Sequence, residues 1–591
     1  MDKVKVTIDG ILVEVPKDYT VLLAAREAGI DIPTLCYLKD INETAACRMC
    51  VVEVDVNGRP MRNLPASCIL QVQDGMNVKT NTKKVREARK INLELILANH
   101  NRECLICSRN GSCELQELAD EMGVSDISFE GERKQHPIDE ISDSIVRDPS
   151  KCILCGRCVS ACKEVQQIGA LDFVNRGFET EVAPAFGFSM NDADCIYCGQ
   201  CINACPTAAL REKSSIEKVW DVIDDPDKYV VVQTAPAVRG SLGEEFGLPI
   251  GTRVTGKMVA ALKRMGFDKV FDTNFSADLT IIEEGTELLG RLKNGGTLPM
   301  ITSCSPGWVN YAEINYPEFI PNLSSCKSPQ QMFGAIAKSY YAKKEKIDPK
   351  KMVVVSVMPC IAKKTELNRP EMEADNIRDV DISITTRELG DMIKQARIKF
   401  TELKDESFDK VMGEYTGAGA IFGVTGGVME AALRTVADIL TGEDLKDFEY
   451  KNVRGLEGVK EATLILPVEG KDTEIKIAVA HGAANAKKVL EAVKNGEKTY
   501  HFIEIMGCPG GCINGGGQSH VSAKDRMDTD YIKLRTKALY EEDEAQVLRK
   551  SHENPEIQKL YKDFLGEANG HLCHKLLHTE YSPKDTYVIK R

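Results

Sequence analysis

Residues 152–162 read CILCGRCVSAC and residues 195–206 read CIYCGQCINACP. Each holds a Cys-x2-Cys-x2-Cys-x3-Cys run, so one unit is written twice. The chain opens on MDKVKVTIDG, charged and without an apolar leader, which argues for a reducing compartment and against disulfides. Cysteines grouped at this density then predict metal ligation. Soft thiolates in quartets select iron–sulfur clusters. The repeat predicts a small domain of its own at 139–215, and the rest of the chain is laid out around it.

Most of the 21 cysteines lie in the first 205 residues. Upstream of the repeat, Cys36, Cys47, Cys50 and Cys68 place three thiols on one loop and a fourth on a following segment. That spacing predicts a [2Fe-2S] cluster; a structural zinc site is the alternative. The surrounding VKVTIDG, ILVEV, CVVEVDVNG and NVKTN alternate as strands, with Asp-Gly and Asn-Gly pairs as hairpin turns. TVLLAAREAG reads as a short helix ended by its glycine. A small β-rich domain is expected at 1–79. Residues 80–138 are helical by pattern, and the Lys-rich stretch at 83–90 reads as a solvated helix face. From 216 onward, short apolar strands (YVVVQTA, TLPMITS, KMVVVSVMPC, ATLILPV, IKIAVA) alternate with helix-like segments. This predicts an α/β domain with parallel or mixed sheets. The whole is a multidomain α+β and α/β chain of 591 residues.

The formal net charge of -13 argues against a nucleic-acid partner. No run of 18 apolar residues reads as membrane-spanning. A cytoplasmic location is the expectation.

Several segments resemble known families. The repeat, with Pro206 after Cys205, resembles the bacterial two-cluster ferredoxins. There the fourth cysteine of each run ligates the other cluster. The resemblance therefore implies one [4Fe-4S] centre on Cys152, Cys155, Cys158 and Cys205, and another on Cys195, Cys198, Cys201 and Cys162. Residues 1–79 resemble the ubiquitin-like [2Fe-2S] domain that begins bacterial NADH-dehydrogenase and hydrogenase subunits. TSCSPGW at 302–308, MPCIAKKTE at 358–366 and EIMGCPGGCINGGG at 504–517 resemble, in order, the three signature segments of the [FeFe]-hydrogenase catalytic domain. GEYTGAGAIFGVTGGVMEAALR at 413–434 and LHTEYSPK at 577–584 resemble the same family.

This last resemblance implies a [4Fe-4S] cluster with one His ligand on His100, Cys104, Cys107 and Cys113, in a small domain at 80–138. It implies an H-cluster domain at 216–591 with a small-subunit-like tail. The H-cluster is a [4Fe-4S] cubane joined through one thiolate to a two-iron unit bearing CO, CN and a bridging dithiolate amine. Carried over, Cys360, Cys508 and Cys512 ligate the cubane and Cys512 is the bridge. Met358, Met506, Lys363, Pro236 and Ala237 line the pocket, Lys363 as an ammonium donor to cyanide. Cys304, Glu284, Ser324 and Glu287 form a proton path, and residues 284 and 287 share one helix face.

One position departs from the family. Where the family reads Thr-Ser-Cys-Cys-Pro, this chain reads Thr302-Ser303-Cys304-Ser305-Pro306. Either Ser305 ligates iron through oxygen and Cys304 is the proton relay, or Cys304 ligates instead, or the two roles lie one residue apart from this alignment. The first is preferred. Cys326 is a further spare thiol. His571, His574, His578 and Cys573 read as structural or surface residues.

Four clusters ahead of a catalytic domain make an electron wire. The resemblance implies reversible 2H+ + 2e- = H2 in a multi-subunit, NAD(P)-linked hydrogenase, a group that includes electron-bifurcating members. The chain has no dinucleotide or flavin fingerprint. A nicotinamide donor would then need a flavoprotein subunit and a small [2Fe-2S] subunit, with ferredoxin as a further donor. The alternatives are a monomeric ferredoxin-dependent hydrogenase, and a hydrogen-sensing or non-catalytic relative.

Overall fold

The computed structural model describes residues 2–133, 135–441, 453–468 and 471–585. They form two compact units. The first comprises Met1–Ala193, Ala204–Arg211 and Val521–Thr529; the second comprises Asp194–Asn203, Glu212–His520 and Asp530–Arg591.

The first unit contains a five-stranded sheet ordered Ile11–Pro16, Lys3–Ile8, Met76–Lys79, Glu53–Val56, Arg59–Pro60. Lys3–Ile8 alternates as the sequence predicts, with Val4, Val6 and Ile8 buried. Asp9-Gly10 and Asn57-Gly58 make the expected turns, with φ of 48°, 88°, 52° and 80°. Two successive positive φ values are what a two-residue I′ hairpin requires. The helix Val21–Glu27 starts at Thr20, whose hydroxyl accepts the Leu23 amide, and ends just before Gly29 at φ 72°. In the helix Lys83–Asn99 the lysines of 83–90 are exposed, as a solvated face requires, while Arg89 on the opposite face points inward and donates to the Val51 carbonyl at 2.8 Å. A buried carbonyl next to Cys50 needs that donor.

The second unit holds two four-stranded sheets. One is parallel, ordered Lys269–Asp272, Tyr229–Thr234, Met352–Met358, Ile382–Thr385. Every residue of Met352–Met358 is buried. A central parallel strand covered on both faces reads as such a continuous apolar run. The other sheet is mixed, ordered Met300–Ile301, Phe502–Met506, Lys471–His481, Val459–Val468, with only the last pair antiparallel.

The parallel strands decide where chemistry can occur. Open α/β sheets bind ligands beyond the carboxyl ends of their strands. Ala235–Ala237 follow Tyr229–Thr234, Thr273 follows Lys269–Asp272, and Pro359 and Cys360 follow Met352–Met358. From the other sheet, Cys304 lies just past Met300–Ile301, and Gly507 and Cys508 follow Phe502–Met506. Both sheets thus deliver their strand ends to one place.

Candidate active site and iron–sulfur sites

The four thiols predicted for the [2Fe-2S] centre meet in the first unit. Cys36 hydrogen-bonds Cys47, and Cys50 hydrogen-bonds Cys68. In each pair that bond pulls one thiol down, Cys36 to about 6 and Cys50 to about 7, and drives its partner up. The Cys47 and Met49 amides aim at the Cys36 and Cys47 sulfurs, each at 3.5 Å. Amide donors of this kind favour thiolate over thiol.

Cys152, Cys155, Cys158 and Cys205 line one small cavity in the first unit. The chain therefore brings the fourth cysteine of the second run to the first three of the first run. Leu154, in the left-handed region at φ 54°, turns its amide onto the Cys152 sulfur at 3.4 Å. Tyr197, at φ 55°, does the same for Cys195 at 3.3 Å in the second unit, which also holds Cys198 and Cys201. Cys162 lies in the first unit on the segment Ala161–Val165.

His100 is buried where the helix Lys83–Asn99 ends. Burial, reinforced by Lys151, lowers its pKa to about 4, and its Nδ1 has no hydrogen-bond partner. A buried neutral imidazole with an orphaned nitrogen fits a metal ligand. Cys104 and Cys107 flank a single turn, and Cys113 caps the helix Glu114–Glu121.

In the second unit the strand ends enclose a pocket lined by Cys304, Ser305, Cys360, Cys508 and Cys512. Pro236, Ala237, Met358, Lys363 and Met506 complete its predicted wall. Burial raises Cys508 well above the ordinary thiol value, helped by the neighbouring Cys360, Cys198 and Cys512. Cys512 is pushed to about 12 by burial and then by Cys360. Thiols crowded this way are held apart from water and repel one another once ionised, so cationic metal is the natural counter-charge. The loop around them requires glycine: a Cβ on Gly511 would meet the Thr425 amide at 2.8 Å, and one on Gly515 the Pro359 carbonyl at 2.1 Å.

The pocket is fixed from behind. Arg239, fully buried, donates twice to Asp272 at 2.9 and 2.8 Å and once to the Pro236 carbonyl at 3.0 Å. Asp272 also caps the helix Thr273–Asn294. One ion pair therefore locks the Pro236–Ala237 wall to the helix that carries Glu284 and Glu287. Lys363 Nζ donates to Glu366 at 3.0 and 3.2 Å and to the Cys304 carbonyl at 3.2 Å. Glu366 also accepts from Ser328 and Gln330, both at 2.9 Å.

The predicted proton-path residues lie near one another. Cys304 feels Glu284 as its strongest charged neighbour, and burial holds its thiol well above the ordinary value, so it keeps its proton. Glu284 lies beside Ser324 and the Ser303 backbone with neither carboxyl oxygen hydrogen-bonded. Ser324 donates to Glu287 at 2.8 Å, and Glu287 pairs with Arg291 at 2.6 Å, where the side chains become partly exposed.

Five family models match in order: a 2Fe-2S iron–sulfur cluster binding domain over 1–83, the NADH-ubiquinone oxidoreductase-G iron–sulfur binding region over 89–128, and a 4Fe-4S dicluster domain over 128–209. The C-terminal domain of the iron-only hydrogenase large subunit follows over 228–516, and the iron hydrogenase small subunit over 529–584. The chain is similar to the NADP-reducing hydrogenase subunit HndD of Solidesulfovibrio fructosivorans, 51% identical over 98% of this chain and 99% of the relative. It is similar to iron hydrogenase 1 of Clostridium pasteurianum, 46% identical over 98% and 99%. Among solved structures, [FeFe]-hydrogenase HydA1 of Chlamydomonas reinhardtii covers 63% of this chain and 99% of its own, at 42% identity and a TM-score of 0.57.

The chain belongs to the [FeFe]-hydrogenase family.

It is a large catalytic hydrogenase subunit with auxiliary iron–sulfur domains. The buried thiols, the glycine cradle and the orphaned His100 nitrogen fit the clusters of this family. In the hydrogenase, Cys360, Cys508 and Cys512 would hold the cubane, and Cys304 and Ser305 line the same pocket. The Ser305 hydroxyl accepts the Gly507 amide at 3.1 Å. Ser305 is the N-cap of the helix Pro306–Asn315 yet makes no capping bond with its side chain. Its oxygen is thus turned to the cluster segment rather than to its own helix.

When bound, the H-cluster supplies the redox-active metal at which protons and electrons combine. Burial and then Glu287 raise Glu284 to about 8. An acid with that value holds its proton below about pH 8 and still exchanges it near neutrality, which suits a relay. H2 evolution by the hydrogenase is therefore expected to fall as pH rises through about 8 as Glu284 ionises. H2 oxidation, in which the carboxylate would be the acceptor, is expected to fall in the opposite direction. Rates in both directions across pH 6–10 check this; a parallel decline in both would contradict it.

Sequence reading missed Arg291, Gln330, Glu366 and Phe422. Arg291 carried a signal, since it stands four residues after Glu287 on one helix. Glu366 carried one too, three residues after Lys363 on one helix, whereas Gln330 and Phe422 reach the pocket by packing alone. Of the histidines set aside, His571 and His574 are exposed. His578 is buried, bonded to Ser325 Oγ at 2.8 Å and Glu283 at 3.1 Å. Cys326 is buried, with its sulfur 4.0 Å from Glu287 and outside the pocket. Among the described residues, no helix is long and apolar enough to cross a membrane.

Proposed function

We propose that this chain catalyses reversible 2H+ + 2e- = H2 at an H-cluster held by Cys360, Cys508, Cys512 and Ser305, with Cys512 as the bridging ligand. The observation that carries this is the single pocket onto which both sheets direct these residues together with Met358, Met506 and Lys363. Cys304, Glu284, Ser324 and Glu287 carry protons between that pocket and the surface. One [2Fe-2S], one His100-ligated [4Fe-4S] and two ferredoxin-type [4Fe-4S] clusters carry electrons, the last completed by Cys162. The domains divide at 1–79, 80–138, 139–215 and 216–591.

Ser305 is the decisive position for the ligand set. Ser305→Ala is expected to lose the cubane while leaving the auxiliary clusters, as electron paramagnetic resonance and iron content would show. Ser305→Cys is expected to retain it with an altered signature. Loss of the cubane in Cys304→Ala but not in Ser305→Ala would assign the ligand to Cys304 instead.

The partners are a flavoprotein that oxidises NAD(P)H and a small [2Fe-2S] protein, in the cytoplasm, with ferredoxin as a further donor. Full-length similarity to an NADP-reducing hydrogenase subunit supports this. The second reading is a ferredoxin-dependent enzyme acting alone, and the similarity to iron hydrogenase 1 is equally complete. Native purification separates them. A chain that purifies alone and makes H2 from reduced ferredoxin, with no flavoprotein, overturns the complex.

A further inference from the structure

Arg157 stands between Cys155 and Cys158, and its side chain is only 1% exposed. A lone guanidinium in a protein interior is costly unless its donors and charge are matched. Here they are matched by two other cluster segments of the first unit. Arg157 Nε donates to the Cys36 carbonyl at 3.3 Å and Nη2 to the Tyr37 carbonyl at 3.0 Å. Both nitrogens of its fork, Nη1 and Nη2, donate to Glu114 at 2.9 Å. Glu114 directly follows Cys113, and its amide donates to the carbonyl of Pro206, the neighbour of Cys205, at 3.2 Å. Asn42 ties the same place together. Its amide donates to the Cys36 carbonyl at 2.7 Å and the Cys155 carbonyl at 3.1 Å, while Ser160 donates to its oxygen at 2.6 Å.

This arrangement is an oriented charge pair. Its positive end is bonded to the loop of Cys36, a [2Fe-2S] ligand. Its negative end is the residue after Cys113, a ligand of the His100 centre. Reducing a cluster adds negative charge, so a fixed cation on one side favours reduction there, and a fixed anion opposes it. Inside the protein such a pair is weakly screened.

We propose that the Arg157–Glu114 pair sets the relative reduction potentials of the [2Fe-2S] centre and its neighbours, Arg157 acting as a positioning residue that makes the [2Fe-2S] centre easier to reduce. The inference rests on the reading of Cys36, Cys47, Cys50 and Cys68 as [2Fe-2S] ligands.

The test is a redox titration of the [2Fe-2S] electron paramagnetic resonance signal in the full, cluster-loaded chain. Arg157→Gln is expected to make that centre at least tenfold harder to reduce, a shift of 59 mV for one electron. Glu114→Gln, which leaves the cation unpaired, is expected to make it easier to reduce by a similar factor. Arg157→Lys, which keeps the charge without the fork, is expected to stay close to the parent. Opposite shifts from removing the two halves of one ion pair would not follow from loosened packing, which lowers signal amplitude. If Arg157→Gln loses the signal altogether, Glu114→Gln decides alone. A Glu114→Gln potential unchanged within twofold, or shifted the same way as Arg157→Gln, overturns the proposal. Absence of any [2Fe-2S] signal in the parent chain overturns the cluster reading itself.

Discussion

Glu284→Gln is expected to lower H2 evolution about 10²- to 10⁴-fold, the range a positioned proton donor contributes, while the fold and the cluster signals persist. The structural grounds are unusual in their asymmetry. Glu284 is buried and bonded through neither oxygen, so the amide of Gln deletes no hydrogen bond. It also removes a group that is costly to ionise in place, so stability should hold or rise. A residue of purely structural role would thus be silent in this substitution. Glu287→Gln should cost less, because Arg291 and Ser324 keep its neighbourhood polar and partly open to water. Initial rates with a fixed reductant, alongside thermal unfolding, read both effects. Parent-like rates in Glu284→Gln would remove it from the path.

Cys512→Ala is expected to abolish turnover outright. Among the pocket's thiols it alone is assigned to both halves of the H-cluster, and the neighbouring Met358, Met506 and Lys363 offer only packing and hydrogen bonds to a two-iron unit. The buried thiol is also raised to about 12, chiefly by burial, so its deletion removes no charge that the apo fold depends on. The auxiliary cluster signals of the first unit should remain at parental intensity. Residual H2 production above background in a chain carrying Cys512→Ala would show that another side chain bridges.

The cluster segments were legible in the sequence because their chemistry is local. A Cys-x2-Cys loop carries most of its own geometry, including the left-handed Leu154 and Tyr197 that turn an amide onto a sulfur. The hairpins at Asp9-Gly10 and Asn57-Gly58 were legible for the same reason. The α/β character of the large domain followed from the apolar runs, yet Lys269–Asp272, Ile382–Thr385 and Phe502–Met506 escaped notice. The first two are four residues long, too short for a period to show. Phe502–Met506 contains Glu504, a polar residue in a buried strand. The structure supplies its reason: the carboxylate accepts the Gly426 and Met429 amides, each at 2.7 Å.

The catalytic pocket was legible only through resemblance. Cys304, Cys360 and Cys512 are far apart in sequence, and nothing in their spacing predicts that two sheets would bring them together. The buried supports are further still from local pattern. Arg239, Glu366 and Arg157 would each pass for a solvated charge. The two arginines are buried because carboxylates and carbonyls need their donors, and Glu366 because Ser328, Gln330 and Lys363 need one acceptor. Such residues satisfy a packing geometry that exists only after folding.

The infrared spectrum of the matured, full-length protein tests the central assignment most directly, because CO and CN stretches occur where no protein group absorbs. The account predicts both sets of bands, lost in Cys512→Ala and retained in Arg157→Gln. A fully matured chain with its auxiliary clusters present and no such bands would contradict it.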